Sequence, residues 1–93
     1  MSLIKHFVDG KTFEGSSKRT GKVFNPATGE QISTVSLASK DDVNLVVKKA
    51  KKAFNDWSNK PPVIRARVLF KFKEIIEKNS DELTKLIVLE HGK

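Results

Sequence analysis

Arg65-Ala66-Arg67-Val68-Leu69-Phe70-Lys71-Phe72-Lys73-Glu74-Ile75-Ile76 is the stretch on which the reading of the chain turns. At a helical advance of roughly 100° per residue, Ile64, Val68, Leu69, Phe72, Ile75 and Ile76 share one broad arc. Phe70 points the other way, among Lys71, Glu74 and Glu77. A helix that is apolar on two sides needs neighbours on two sides. The spacing predicts a helix from about Pro62 to Lys78, entered through Asn59-Lys60-Pro61-Pro62, because proline suits a first turn and breaks an interior. Arg65 sits within the apolar arc near the helix start. Its expected role is an ion pair, a carbonyl contact or a snorkelling side chain at the edge of the core.

Toward the carboxyl end, Ser80 is the expected cap of a further helix, with Asp81 and Glu82 in its first turn. Leu83, Leu86, Ile87, Val88 and Leu89 spread almost all round that helix, the pattern of an element buried on most sides. Gly92 is the expected residue just past its end. These 93 residues contain no segment suited to cover the second side of the Phe70 helix or the far side of the last one. Phe70 and the Leu86–Leu89 flank are therefore expected to stay unshielded by this chain's own atoms.

Toward the amino end, Ser39 is a good N-cap, with Asp41 and Asp42 against the positive end of the helix dipole. The helix it opens is expected over about Lys40–Trp57. Val43, Val46, Val47, Ala50, Ala53, Phe54 and Trp57 form one stripe, and Lys48, Lys49, Lys51 and Lys52 cover the opposite face. That lysine face reads as solvated, with an anionic partner as the alternative. Before the helix come turn-rich strands. Ile4 to Phe13 reads as a hairpin about Asp9-Gly10. Gly15 to Gly21 reads as a polar loop, and Lys22-Val23-Phe24 as a short strand. Asn25-Pro26-Ala27-Thr28-Gly29-Glu30 is dense in turn signals. Gln31 to Leu37 reads as a strand whose apolar residues are divided between its faces.

Composition bounds the function. The net charge of +7 raises nucleic acid as a partner. The charge is mostly lysine spread along the chain, and arginine, which grips bases and phosphates in bidentate fashion, occurs only at positions 19, 65 and 67. Nucleic acid is thus disfavoured. The absence of cysteine removes disulfides, thiolate metal sites and a thiol nucleophile, and fits a reducing compartment. No apolar run approaches the roughly 18 residues a membrane span needs, and no signal peptide or arginine-rich presequence opens the chain. A soluble cytoplasmic protein without a membrane partner is expected.

Chemistry is sparse. His6 reads as a strand side chain, since it has no second ligand at useful spacing. Glu90-His91-Gly92 sits at a helix end, where a histidine favours the negative dipole. Asp41-Asp42 and Asp81-Glu82 are explained by helix starts. No GxGxxG or Walker-type loop occurs. The expected inventory is therefore no catalytic, no cofactor-binding and no metal-ligating residue.

Asn25-Pro26-Ala27-Thr28-Gly29-Glu30, then Ile32 and Val35, Ala38-Ser39, Asp42-Val43 and the Ala50-x-x-Ala53-Phe54-x-x-Trp57 helix resemble the amino-terminal segment of the aldehyde dehydrogenase superfamily. Arg65 to Phe72 and Glu90-His91-Gly92-Lys93 resemble its CoA-acylating methylmalonate-semialdehyde dehydrogenases more narrowly. The resemblance runs from about Ile4 to Lys93. It implies an α/β parent of several hundred residues, with a Rossmann-type NAD domain, a catalytic domain and an oligomerisation hairpin. Residues 1–93 would be its first fifth or so, with 1–38 forming a hairpin and strands and 39–93 forming three helices packed on the NAD domain. The implied parent reaction oxidises malonate or methylmalonate semialdehyde. A cysteine thiolate attacks the aldehyde, hydride passes to NAD, and CoA, as cosubstrate, takes the acyl group with loss of carbon dioxide. The family's nucleophile is a cysteine and its nucleotide contacts lie downstream, so no site residue is carried over and the segment alone should bind no cofactor. Its partner would be the remainder of the dehydrogenase chain, in a homo-oligomer, a tetramer or dimer. The expectation is thus an amino-terminal dehydrogenase segment, whether a truncated product, a proteolytic remnant or a gene fragment, that braces the NAD domain. The alternative is a stand-alone small basic module binding nucleic acid or protein.

Overall fold

The computed structural model describes residues 2–92. Five short strands precede three helices: β1 (Ser2–Ile4), β2 (His6–Val8), β3 (Lys11–Phe13), β4 (Thr20–Phe24), β5 (Gln31–Ser36), α1 (Lys40–Trp57), α2 (Pro62–Lys78) and α3 (Ser80–His91).

β2 and β3 form the expected hairpin. Asp9 (φ 55°) and Gly10 (φ 75°) both lie in the left-handed region, as a tight two-residue turn requires. Ile4 does not belong to this hairpin. It ends a separate strand, β1, which pairs in parallel with β5 in the register Ser2↔Ser33 and Ile4↔Val35. β4 and β5 form a second hairpin across the Asn25–Glu30 turn, where Asn25 N–H donates to Glu30 O (2.9 Å) and Gly29 N–H to Asn25 O (2.7 Å). β4 begins at Thr20, so Thr20 and Gly21 are strand and not the end of the polar loop. The three-stranded sheet therefore runs β1-β5-β4, with β5 central.

The first helix closes at its amino end with a full capping box. Asp42 N–H donates to Ser39 Oγ (3.1 Å), and Ser39 N–H donates back to Asp42 Oδ2 (2.9 Å). α2 starts at Pro62, the first-turn position that proline favours. Ser80 does not cap α3: it is already helical, and Asn79 is the one residue that separates α2 from α3. Asn79 turns its side chain back, donating from Nδ2 to Ile75 O at 2.8 Å. Gly92 (φ 83°) ends α3 in the left-handed conformation, its N–H on Val88 O.

No apolar side chain among the described residues is buried; the three buried residues are Ser33, Ser36 and Asp42. The α1 stripe, both sides of α2 and most of α3 lie open, with Phe70 70% and Ile87 60% exposed. The radius of gyration is 16.9 Å, against about 12 Å for a compact chain of this length.

Candidate functional site

The best-organised polar cluster lies where the Gly15–Arg19 loop crosses the start of α1. Asp42 is only 3% exposed. Its Oδ1 accepts from Ser16 N–H (2.9 Å) and Ser16 Oγ (3.1 Å), while its Oδ2 accepts from Ser39 N–H. Ser16 Oγ and Ser39 Oγ are 2.9 Å apart. The Ser39 and Ser16 amides hold the Asp42 carboxyl well below the usual carboxylate range, against the opposing cost of burial. Arg19 adds a second tie, donating from its guanidinium to Ala38 O (2.9 Å), and Leu37 N–H donates to Arg19 O (3.1 Å). Gly15 lies at φ 90°, and a Cβ there would stand 2.8 Å from Asp42 Oδ2. Only glycine lets the loop lie this close.

This cluster is a clasp. Each Asp42 oxygen is taken up by the chain's own donors, and neighbouring His6 makes no hydrogen bond to it or to the serines through its buried Nε2. The sequence shows Asp42 as a helix-start carboxylate; its grip on Ser16, 26 residues away, carries no local signal.

His6 adjoins the cluster: it lines one hollow with Asp42, and its Cδ2 would stand 3.5 Å from a Cβ on Gly15. His6 stands beside Phe13, with ring centroids 6.1 Å apart, and its Nε2 is buried with no partner among the described residues. His91 occupies the last turn of α3. Arg65 is half-buried and donates from Nε to Lys60 O (3.2 Å), which selects the carbonyl contact among its expected roles. No group of three or more potential metal ligands occurs among the described residues, and none of their helices is long and apolar enough to cross a membrane.

The helix starts do not fit a dinucleotide phosphate. β5 runs into α1 through Leu37-Ala38-Ser39, without glycine, and Asp41 and Asp42 place negative charge where a phosphate would sit. Pro61 and Pro62 lack the N–H groups that would point at an anion from α2. α3 opens with Asp81 and Glu82.

A hollow of about 490 Å³ lies between the Asn25–Glu30 turn and α3 and is lined by Asn25, Ala27, Thr84, Lys85, Val88, Leu89 and Gly92. Beside it the Gly92 backbone meets Pro26, so closely that a Cβ on Gly92 would stand 3.0 Å from Pro26 Cγ. Two stretches distant in sequence, the Asn25–Glu30 turn and the Glu90-His91-Gly92 helix end, thus meet in space.

Comparison with known proteins places this arrangement. The sequence profile of the aldehyde dehydrogenase family matches residues 13–93. The chain is 39% identical over 93 residues to the malonate-semialdehyde dehydrogenase of Bacillus pumilus, covering all of this chain and 19% of that protein. It is 42% identical over 91 residues to malonate-semialdehyde dehydrogenase 2 of Bacillus thuringiensis, covering 98% of this chain and 19% of that one. Among solved structures, the methylmalonate-semialdehyde dehydrogenase of Oceanimonas doudoroffii superposes with a TM-score of 0.93 at 43% identity, over 98% of this chain and 18% of that one. A Sinorhizobium meliloti protein assigned as a methylmalonate-semialdehyde dehydrogenase, solved with NAD, gives the same score and identity over 96% of this chain and 18% of that one. The chain spans about a fifth of the length of these relatives. These matches favour the dehydrogenase reading over the stand-alone basic module, for which no feature of the fold argues. On this evidence, the chain belongs to the aldehyde dehydrogenase family.

Proposed function

We propose that residues 1–93 are the amino-terminal segment of an NAD-dependent, CoA-acylating malonate- or methylmalonate-semialdehyde dehydrogenase, and that their work in it is structural. The observation that carries this reading is the superposition on the Oceanimonas doudoroffii enzyme, at a TM-score of 0.93 and 43% identity. Residues 39–93 would then lay their apolar faces on the NAD domain, with 1–38 held against them by the Asp42 clasp. No residue of the segment would touch the aldehyde, the nucleotide or CoA. The helix starts support this, being filled by aspartate and glutamate or deprived of N–H by proline. The cysteine nucleophile would belong to the remainder of the chain, in a cytoplasmic homo-oligomer, a tetramer or dimer.

A chimera tests the proposal. Residues 1–93 replace the matching segment of the Oceanimonas doudoroffii enzyme. The chimera is expected to fold and to form NADH from methylmalonate semialdehyde in a CoA-dependent reaction, while the 93 residues alone form none. An insoluble or monomeric chimera without activity, beside an active parent handled identically, would remove the reading.

A further inference from the structure

The tip of the β2–β3 hairpin, built as a two-residue turn, brings together four features that bear on the chemistry of Asp9. Asp9 is followed by Gly10, and both have positive φ. The Asp9 side chain is 63% exposed. Gly10 has open space on its Cβ side, with nothing within 4 Å. The Gly10 N–H donates to no acceptor among the described residues. The other aspartates, Asp41, Asp42, Asp56 and Asp81, all lie in α1 or α3 and precede residues with side chains. Their following amides are held in helical geometry, behind a Cβ that crowds the approach.

We propose that Asp9 is a site of spontaneous isoaspartate formation and that Lys49 restrains it. The Gly10 amide nitrogen attacks Asp9 Cγ. A C–N bond forms, the carboxyl oxygen and two protons leave as water, and a five-membered succinimide results. Water then opens that ring at either carbonyl. Opening at the former side-chain carbonyl restores aspartate; opening at the former backbone carbonyl leaves the chain linked through Cγ. The net change consumes nothing and needs no cofactor. Glycine at position 10 removes the side chain that would otherwise bar the rotation bringing nitrogen to Cγ. A turn joining two three-residue strands also opens more readily than a helix interior.

The restraint comes from α1. Lys49 Nζ lies 3.5 Å from Asp9 Oδ2, a tie that turning Cγ onto the Gly10 nitrogen would have to loosen. Isomerisation adds a methylene to the main chain at a turn that tolerates only two residues. The Asp9–Lys49 pair would then be lost, and Phe7 and Val8 would lift from Val46, Ala50 and Ala53, which line the same hollow.

The test uses the full chain, incubated at neutral pH in water enriched in heavy oxygen, then cut after lysine and analysed by mass spectrometry. The peptide His6–Lys11 is expected to split into two species that differ in retention, one of them a substrate for isoaspartyl methyltransferase, with heavy oxygen taken up without loss of ammonia entering this peptide ahead of those carrying Asp41, Asp56 or Asp81. Each of those also holds an asparagine, which exchanges ammonia for water through the same ring. Asp9→Glu should abolish both signals, because a glutamate would need a larger ring. Lys49→Gln should speed the conversion about threefold, the scale of an exposed ion pair's hold. Label that never enters His6–Lys11, or that enters all the aspartate peptides equally without loss of ammonia, would overturn the site. An unchanged rate in Lys49→Gln would overturn the restraint.

Discussion

At the scale of single residues, Asp42 does more than its position in the sequence declares. Its helix-start role is legible from Ser39-x-x-Asp42, since a short polar side chain three residues before a carboxylate marks a capping box. Its hold on Ser16 is not, because that contact depends on how a glycine-rich loop returns to the helix. The same holds for Gly15, which reads as loop chemistry in sequence and is required in space by the carboxylate 2.8 Å from its absent Cβ. A carboxyl held below its ordinary range in the folded state stabilises the fold above that range, near pH 4, and the contribution is lost as pH falls from there. The clasp is therefore expected to weaken on acidification. In the chimera, thermal midpoints followed from neutral pH downward should fall below about pH 4, and Asp42→Asn should lower the neutral value and flatten that acid limb. An acid limb unchanged in Asp42→Asn would show that other carboxylates govern it. Ser39→Ala, which removes the cap's acceptor oxygen, should cost about 1 kcal/mol.

At the scale of elements, what was legible divides by the range of the cause. The starts of α1 and α2 and the break between them follow from signals within a few residues, Ser39 with Asp41 and Asp42, and the Pro61-Pro62 pair, and both helices start where those signals place them. β1 was hidden because three residues cannot show a period and because their partner, β5, lies about thirty residues on. Reading Ile4 into the first hairpin was the local error that followed. Ser80 has the residue type of a cap, but Asn79 takes the position between the helices, its side chain reaching back to Ile75 O, and α3 begins one residue sooner. The two-sided character of α2 was legible, and it carries a prediction. Phe70 is 70% exposed in this chain, so Phe70→Ala should leave the free segment unaffected. In the chimera, where we propose that the second side meets the rest of the enzyme, the same change should cost about 3 to 5 kcal/mol. Lys71→Ala, removing a side chain 68% exposed and paired only with Glu74, should stay within about 0.5 kcal/mol in either setting. Denaturant unfolding of the two chimeras decides between them. Equal, small losses would mean that Phe70 has no neighbour in the assembled enzyme either.

At the scale of the whole molecule, surface area states the case most directly. The chain exposes 7864 Å², about 2,500 Å² more than a compact protein of its mass would. That surplus exceeds the roughly 800 Å² that one partner contributes to an ordinary specific interface. It is distributed over α1, α2 and α3 and not confined to one patch, as expected of a layer lifted from a larger body. The five ion pairs among the described residues do nothing to offset it, since every one joins exposed side chains. A surface of this kind has two measurable consequences. The free chain should bind a hydrophobic dye and unfold over a broad range, because no buried apolar core makes its elements melt together. Mixed with an Oceanimonas doudoroffii enzyme lacking its matching segment, the chain should lose dye fluorescence as its helices find their covering, and NADH formation should appear with the same dependence on chain concentration. The coincidence of the two curves is the informative result. Fluorescence falling without activity would mean that the helices had found each other in a second copy, and activity at no concentration would mean that the surplus surface does not match the body proposed for it.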